Sequence, residues 1–333
     1  MISNSERGPR KPALAPRDPV IVVGGRGFVG SQIVRVLLDQ GNEVHVLGPP
    51  MNVDLLADRR GRFGEIDCGV EDSVAVRAAL ERVVPAALVV CSAWGADGDG
   101  LMRAGEADPA RAFEINVDAM RRLLDLAREC GVRQVVWTSS TTVFGEADGY
   151  ASEAGRVRVD EGAPKRPATV YGLTKHLAEE LAVFAMRRHR QAVIGIRLPL
   201  VLGPGLWYRG AASAFADLFA AARSGAAHRM VMHDEPVDLM HVEDAARALV
   251  AVLQHEGELA PLYHVNGFTA RASEIVASVR ARMPALEARV DVIEPVRLFP
   301  LVDDSRFRAD TGFVPAFDLA RLVDEALEIS RST

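Results

Sequence analysis

Tyr171 and Lys175 stand four positions apart in Tyr171-Gly172-Leu173-Thr174-Lys175. On a helix that spacing projects both side chains from one face, a turn apart. A phenol titrates near about 10 in water, and a cation held beside it favours the ionised form, so the pair could pass a proton near neutral pH. Upstream, the run Ser139-Ser140-Thr141-Thr142-Val143-Phe144-Gly145 supplies hydroxyls, and Ser140 could hold a substrate oxygen against the phenol. Taken alone, an aromatic and a lysine one turn apart describe packing plus a solvated charge just as well. The elements that position them have to decide.

Those elements begin at Val20-Ile21-Val22-Val23, a β-branched run of the kind that forms a buried parallel strand. It leads into Gly24-Gly25-Arg26-Gly27-Phe28-Val29-Gly30, and an amphipathic helix is predicted from Ser31 to Gln40. Glycines at 24, 27 and 30 permit a tight turn, close approach of backbone to a pyrophosphate, and close packing of helix on strand, with the phosphates at the helix N-terminus. A glycine motif between strand and helix is the context that dinucleotide binding demands. The second strand, Glu43 to Leu47, should end in a carboxylate for the adenosine ribose, but Gly48-Pro49-Pro50 follows. Arg26 could instead pair with a 2′-phosphate, so of NAD and NADP the latter is slightly favoured.

The alternation continues through a strand at Arg62 to Ile66, a helix at Ser73 to Val84, and a strand at Ala87 to Cys91 that opens into the loop Trp94 to Gly100. A long helix around Ala110 to Cys130, a strand from Gln134 to Thr138, the Tyr171 helix to about Arg190 and a strand from Val193 to Leu198 follow. Strands alternating with helices imply right-handed crossovers and an α/β fold with a doubly wound parallel sheet of Rossmann type.

At 333 residues, 49% hydrophobic and 25% charged, the chain can bury a large core, as one domain or one domain with a smaller lobe. A net charge of −6 offers no general attraction to nucleic acid or an anionic membrane. Cys68, Cys91 and Cys130 lack paired spacing and fit reduced thiols in a cytoplasmic protein. Residues 1–18 are rich in Pro, Arg and Ser without an apolar run, so they are read as a disordered leader rather than a signal or membrane segment. His228, His233 and His241 lack ligand-like spacing, and no metal is expected.

In their order these motifs resemble the extended short-chain dehydrogenase/reductase family, the NAD-dependent epimerase/dehydratase group. The resemblance runs from about Val20 onward: the glycine loop, Asn116 in Glu114-Ile115-Asn116-Val117-Asp118, Ser139-Ser140 before Val143-Phe144-Gly145, Tyr171 and Lys175, Arg197-Leu198-Pro199 leading to Gly203-Pro204-Gly205, His241-Val242-Glu243-Asp244, and Asp303-Asp304-Ser305-Arg306. It implies that Tyr171 is the general acid/base, that Lys175 lowers its pKa and holds the nicotinamide ribose, and that Ser140 takes the substrate oxygen. Asn116 would support a proton relay through water. Glu65 and Ile66 would lie beside the adenine, with Ser92, Ala93 and Leu198 also along the cofactor. It further implies a dinucleotide-binding domain over 19–198, rejoined by 236–262, and a smaller C-terminal α/β substrate lobe from 199–235 and 263–333.

Departures from the family pattern bear on the substrate. Nucleotide-sugar members usually carry an asparagine where this chain has Leu200 and an arginine where it has Val237, both facing the pyrophosphate, so a nucleotide sugar is disfavoured. Thr141-Thr142 replace the Asp-Glu pair of sugar dehydratases. The step from Ser140 to Tyr171 is 31 residues (171 − 140), and the added length falls in a polar loop, Glu146 to Arg166, expected to overhang a small-molecule substrate. Trp94, Thr141, Phe144, Trp207, Tyr208 and Arg209 are candidates for the pocket. The resemblance leaves an oxidoreductase acting on a small hydroxy or keto compound, an epimerase with retained cofactor, or a non-catalytic dinucleotide sensor. The helices carrying Asn116 and Tyr171 form a dimer contact in many relatives, and the apolar face of Leu177 to Ala185 suits a homodimer.

Overall fold

The computed structural model describes residues 7–95, 98–150, 158–295 and 298–328. The N-terminal half runs β1 (Pro19–Val23), α1 (Phe28–Asp39), β2 (Glu43–Leu47), β3 (Gly64–Ile66), α2 (Ser73–Val83), β4 (Ala87–Val90), α3 (Leu101–Ala107), α4 (Pro109–Phe113), α5 (Ala119–Glu129) and β5 (Gln134–Ser140). Next come β6 (Arg158–Val159), α6 (Val170–His189), β7 (Ala192–Leu198), β8 (Leu200–Leu202), α7 (Ser213–Ser224), β9 (His228–Met232), β10 (Val237–His241) and α8 (Val242–Gln254). The chain ends with β11 (Leu262–His264), β12 (Phe268–Ala270), α9 (Ala272–Arg282), β13 (Ala288–Val292), β14 (Leu301–Val302), α10 (Ser305–Thr311) and α11 (Leu319–Ala326).

Seven strands form one parallel sheet in the order β11-β7-β5-β4-β1-β2-β3. Both faces of this sheet are covered, which is why β1 and β4 read as unbroken apolar runs instead of alternating ones, and why β5 and β7 are buried along their whole length. One face packs on α1 and α8, the other on α2, α5 and α6. The strand order reverses between β1 and β4, and the crevice beyond their C-terminal ends is where open α/β sheets take ligands. The expected doubly wound fold is therefore the one formed.

A separate three-stranded sheet, β12-β10-β8, and the parallel pair β13-β9 pack with α7, α9 and α11 around a second core. Two details differ from expectation. Within 236–262, α8 does return to the large sheet, but Val237–His241 pairs with β8 and β12, because its apolar residues match the smaller core. Conversely β11, Leu262–His264, adds to the edge of the large sheet beside β7.

The expected disordered leader is also corrected over its described part. Residues 7–18 lie against the end of α8 and the residues that follow it: Gly8 and Leu14 donate backbone N–H groups to Leu259 and Leu253, and Lys11 exchanges both backbone hydrogen bonds with Gly257. Leu14 is buried, and the Lys11 ammonium donates to the carbonyls of Val252 and His255 at 2.6 Å each, capping the end of α8. Composition suggested disorder because a segment this polar has no core of its own; here it borrows one. Residues 1–6, and 151–157 of the predicted overhanging loop, lie outside the described residues. The neighbouring Arg158–Val159 pairs with β14, tying that loop to the C-terminal region. Among the described residues no helix is long and apolar enough to cross a membrane.

Candidate active site

The glycine loop turns at Gly24, whose φ of +80° lies in the left-handed region that favours glycine. A Cβ there would meet the Ser92 backbone nitrogen at 2.7 Å, and a Cβ on Gly30 would meet the Gly24 carbonyl oxygen at 2.2 Å. Backbone contact at both positions explains the motif's spacing. Gly27 caps α1 with no side-chain hydrogen bond, and the helix starts at Phe28, three residues earlier than predicted. Its first N–H groups are thus available to an anion.

Arg26 does not stand free. Its guanidinium donates to the Gly48 carbonyl at the end of β2 and pairs with Glu65 at 2.7 Å and Asp67 at 2.5 Å. Ile66, between those acids, is buried. The sequence-based lean towards NADP therefore loses its basis: the cation meant for a 2′-phosphate already has two carboxylates.

Tyr171 lies in the first turn of α6, which starts where the Thr169 side chain accepts the Gly172 N–H at 2.9 Å. Gly172 is needed there, since a Cβ would meet the Thr142 carbonyl oxygen at 2.2 Å. The Tyr171 phenol is buried beside Ser140, whose hydroxyl favours its ionised form. Ser140, the last residue of β5, accepts in turn from the Thr142 backbone at 3.2 Å and from the Thr142 hydroxyl at 3.0 Å. Three hydroxyls, of Tyr171, Ser140 and Thr142, thus converge. Thr142 makes this contact because Ser140 caps a tight 3₁₀ turn, Thr141–Val143, and Thr142 is the residue that folds back onto it, while Thr141, the pocket candidate, opens that turn.

Lys175 is buried one turn along, its ammonium donating to the Thr138 carbonyl at 2.8 Å and lying 5.8 Å from the Tyr171 ring centre. Burial pushes the Lys175 pKa down to about 8 and the Tyr171 phenol well above its ordinary value. The Ser140 hydroxyl pulls the phenol the other way, but burial dominates. The neighbouring Cys91 thiol is likewise pushed up to about 12 by burial, which keeps it protonated and unreactive.

Asn116 sits in a π-helical turn, Glu114–Asp118, that interrupts the predicted continuous helix between α4 and α5. The Trp94 N–H donates to its carbonyl at 2.8 Å, and its amide donates to Thr174 at 3.0 Å. Asn116 thereby links the loop after β4 to α6 beside Lys175. Such bulges are frequent at functional sites. Beside it a cavity of about 10 Å³ is lined by Ser92, Asn116, Lys175 and Trp137, room for about one water.

A family model described as "NAD dependent epimerase/dehydratase family" matches residues 20–266. The chain belongs to the NAD-dependent epimerase/dehydratase family. Among its relatives, the mitochondrial L-threonine 3-dehydrogenase of Bos taurus is 26% identical over 242 residues, 70% of this chain and 63% of that protein, so the match spans just under two thirds of the relative's length. A UDP-glucose 4-epimerase of Streptomyces lividans is 26% identical over 295 residues, covering 78% of this chain and 79% of the other. In structure, the L-threonine 3-dehydrogenase of Trypanosoma brucei superposes with a TM-score of 0.79 over 95% of this chain and 97% of its own, at 22% identity, a likeness of fold.

The residues of this family member fit the dinucleotide its family name implies: a cradle that side chains at 24 and 30 would fill, beside a helix end without a side-chain cap. Val29 packs against the core, while Phe28 is buried edge-on to Tyr208 at 6.1 Å. Tyr208 is also close enough to Tyr171 to help raise its pKa. Leu198, paired with Ser140 across the sheet, is buried at the end of β7. Ala93 is half-buried just before Trp94.

Other expected pocket residues are placed differently. Phe144 is fully buried against Val143, Val159 and Val302, a core residue rather than a pocket wall. Arg209 turns outward to Asp217 at 2.7 Å, with its side chain 64% exposed. Trp94 is half-buried under the Arg111 guanidinium, 5.6 Å from its ring. Beneath the hydroxyls lies a feature the sequence reading missed: Arg197 and Glu179, both fully buried, form a two-pronged ion pair at 2.7 Å, and the Ser139 hydroxyl donates to Glu179 at 2.6 Å. Glu179 follows Lys175 by one helical turn, and that spacing was the available signal.

Proposed function

We propose that this chain is an NAD-dependent oxidoreductase that interconverts a small hydroxy compound and its keto form, with Tyr171 exchanging the proton. The observation that carries this is the convergence of the Tyr171, Ser140 and Thr142 hydroxyls at the C-terminal end of the parallel sheet, with Lys175 beneath them and the glycine loop alongside. When bound, the nicotinamide supplies a two-electron hydride acceptor or donor. Ser140 would hold the substrate oxygen and Tyr171 would take the carbinol proton in oxidation or return it in reduction. Lys175 would hold the ribose, while burial, which outweighs the lysine's expected pull, keeps the phenol protonated at rest. Asn116 would fix the loop after β4, and the small cavity beside it supports a water that passes the proton on.

For the substrate, the threonine dehydrogenases among the relatives make L-threonine and other short hydroxy acids the first compounds to try. Leu200 and Val237, which replace the polar residues expected by a sugar nucleotide, support a substrate without that group. The second reading, a sugar epimerase with retained cofactor, is favoured by the UDP-glucose 4-epimerases that align with more than three quarters of the chain. Absorbance at 340 nm separates the two: net reduction of coenzyme with a hydroxy acid supports the first. Isomerisation of a sugar nucleotide without net absorbance change would replace it with the second.

Leu173 and Phe184, exposed on α6, support a homodimer through that face, and light scattering at the monomer mass would remove it. The free thiols of Cys68, Cys91 and Cys130 support a reducing, cytoplasmic setting.

A further inference from the structure

We infer that Arg26, Glu65 and Asp67 form a coenzyme-selecting device in which two carboxylates hold the loop guanidinium over the adenosine-ribose site and exclude the 2′-phosphate of NADP. The inference rests on the reading that the glycine loop binds a nicotinamide dinucleotide, and it assigns selection to residues other than the usual one.

In this fold the ribose hydroxyls are read at the end of β2, about 20 residues after the glycine motif, commonly by an acid. Here that place is Gly48, which offers only backbone. The Arg26 guanidinium occupies it, donating to the Gly48 carbonyl. Arg26 is anchored from the far side by Glu65 in β3 and Asp67 just after it, at 2.7 and 2.5 Å. The acid missing from β2 is therefore supplied by the adjacent strand through an arginine.

Charge decides what such a site accepts. Arg26 carries one positive charge and its two partners two negative ones. The next ion pair outward, Arg60 with Asp54, is internally balanced. The cluster thus faces the ribose with a net negative charge. A 2′-phosphate would bring about two more negative charges against Glu65 and Asp67, whose side chains are 56% and 59% exposed, and would have to take Arg26 from both. A ribose hydroxyl makes no such demand: it can donate to either carboxylate. Arg26 itself has only 15% of its side chain exposed, so it is held rather than swinging in solvent. Removing the acids would leave an arginine already positioned for a phosphate.

The test uses the purified full-length chain and the reduced coenzymes, whose fluorescence reports binding without any substrate. Wild type should bind NADH at least about tenfold more tightly than NADPH. In the Glu65→Gln, Asp67→Asn double variant, NADPH should gain about tenfold or more, and adding Arg26→Ala should abolish that gain. Because both acids are exposed, these variants are expected to fold; Asp67→Asn alone, with half of the change, provides the check. Equal or tighter NADPH binding by wild type, or an unchanged ratio in the double variant, overturns the device while leaving dinucleotide binding intact. Binding of neither coenzyme overturns the device together with the reading beneath it.

Discussion

At the scale of single residues, the burial of Tyr171 works against its own ionisation. Its phenol is held neutral by desolvation, and Lys175 is pushed down to about 8 by the same cause, so both groups favour their uncharged forms. A proton acid with a raised pKa is ready to protonate a carbonyl oxygen, whereas the reverse step needs the phenolate. Substrate oxidation is therefore expected to speed up with rising pH across the neutral range while reduction stays level, which paired initial-rate profiles would check. Replacing Tyr171 with Phe should lower turnover by about 10²-fold or more, the scale of a lost general acid/base, with coenzyme binding retained. Turnover within a few-fold of wild type would remove Tyr171 from its role.

Elements fix where those residues stand. The site depends on how α6 is seated on β5 and β7, and the Glu179–Arg197 pair fastens helix to sheet two turns past Tyr171. His264 in β11 continues the anchor, with its Nε2 3.0 Å from the guanidinium and its pKa driven well below the ordinary value by burial, so it is neutral there. Changing Glu179 to Ala leaves a guanidinium buried with no carboxylate. We expect a loss of about 3–5 kcal/mol in denaturant unfolding, against little change for a solvated helix position such as Glu180. The glycine loop depends equally on backbone proximity. Gly30→Ala places a methyl group on the Gly24 carbonyl, so it should weaken NADH binding by tenfold or more and lower the melting temperature.

For the molecule as a whole, residues 7–18 join the large parallel-sheet core at the end of α8. Lys11 is pushed down to about 8 by burial against the end of α8, with His255 as the titratable residue beside it and Asp310 and Arg7 acting in turn on that histidine. Below that pH both folded and unfolded chains hold the proton. From about 8 up to the ordinary lysine value only the unfolded chain does, so stability contributed by this group rises with pH. Compared with Lys11→Met, wild type should gain in urea midpoint between pH 7 and pH 10. A difference constant over that range would mean that Lys11 titrates in the fold as it does in water.

Local pattern determined a good deal here. Unbroken β-branched runs and the glycine spacing specified a covered parallel sheet followed by a tight glycine turn, because those signals act between near neighbours in the chain. The four-residue step from Tyr171 to Lys175 specified one helical face for the same reason. Tertiary structure alone decided which groups meet across long loops: that Arg26 answers to Glu65 and Asp67, that Thr142 joins Ser140, that Phe144 belongs to the core, and that residues 7–18 pack against the end of α8. Charge pairing and burial depend on distance in space, and residues about forty positions apart, such as Arg26 and Asp67, carry no mark in sequence of how close folding will bring them.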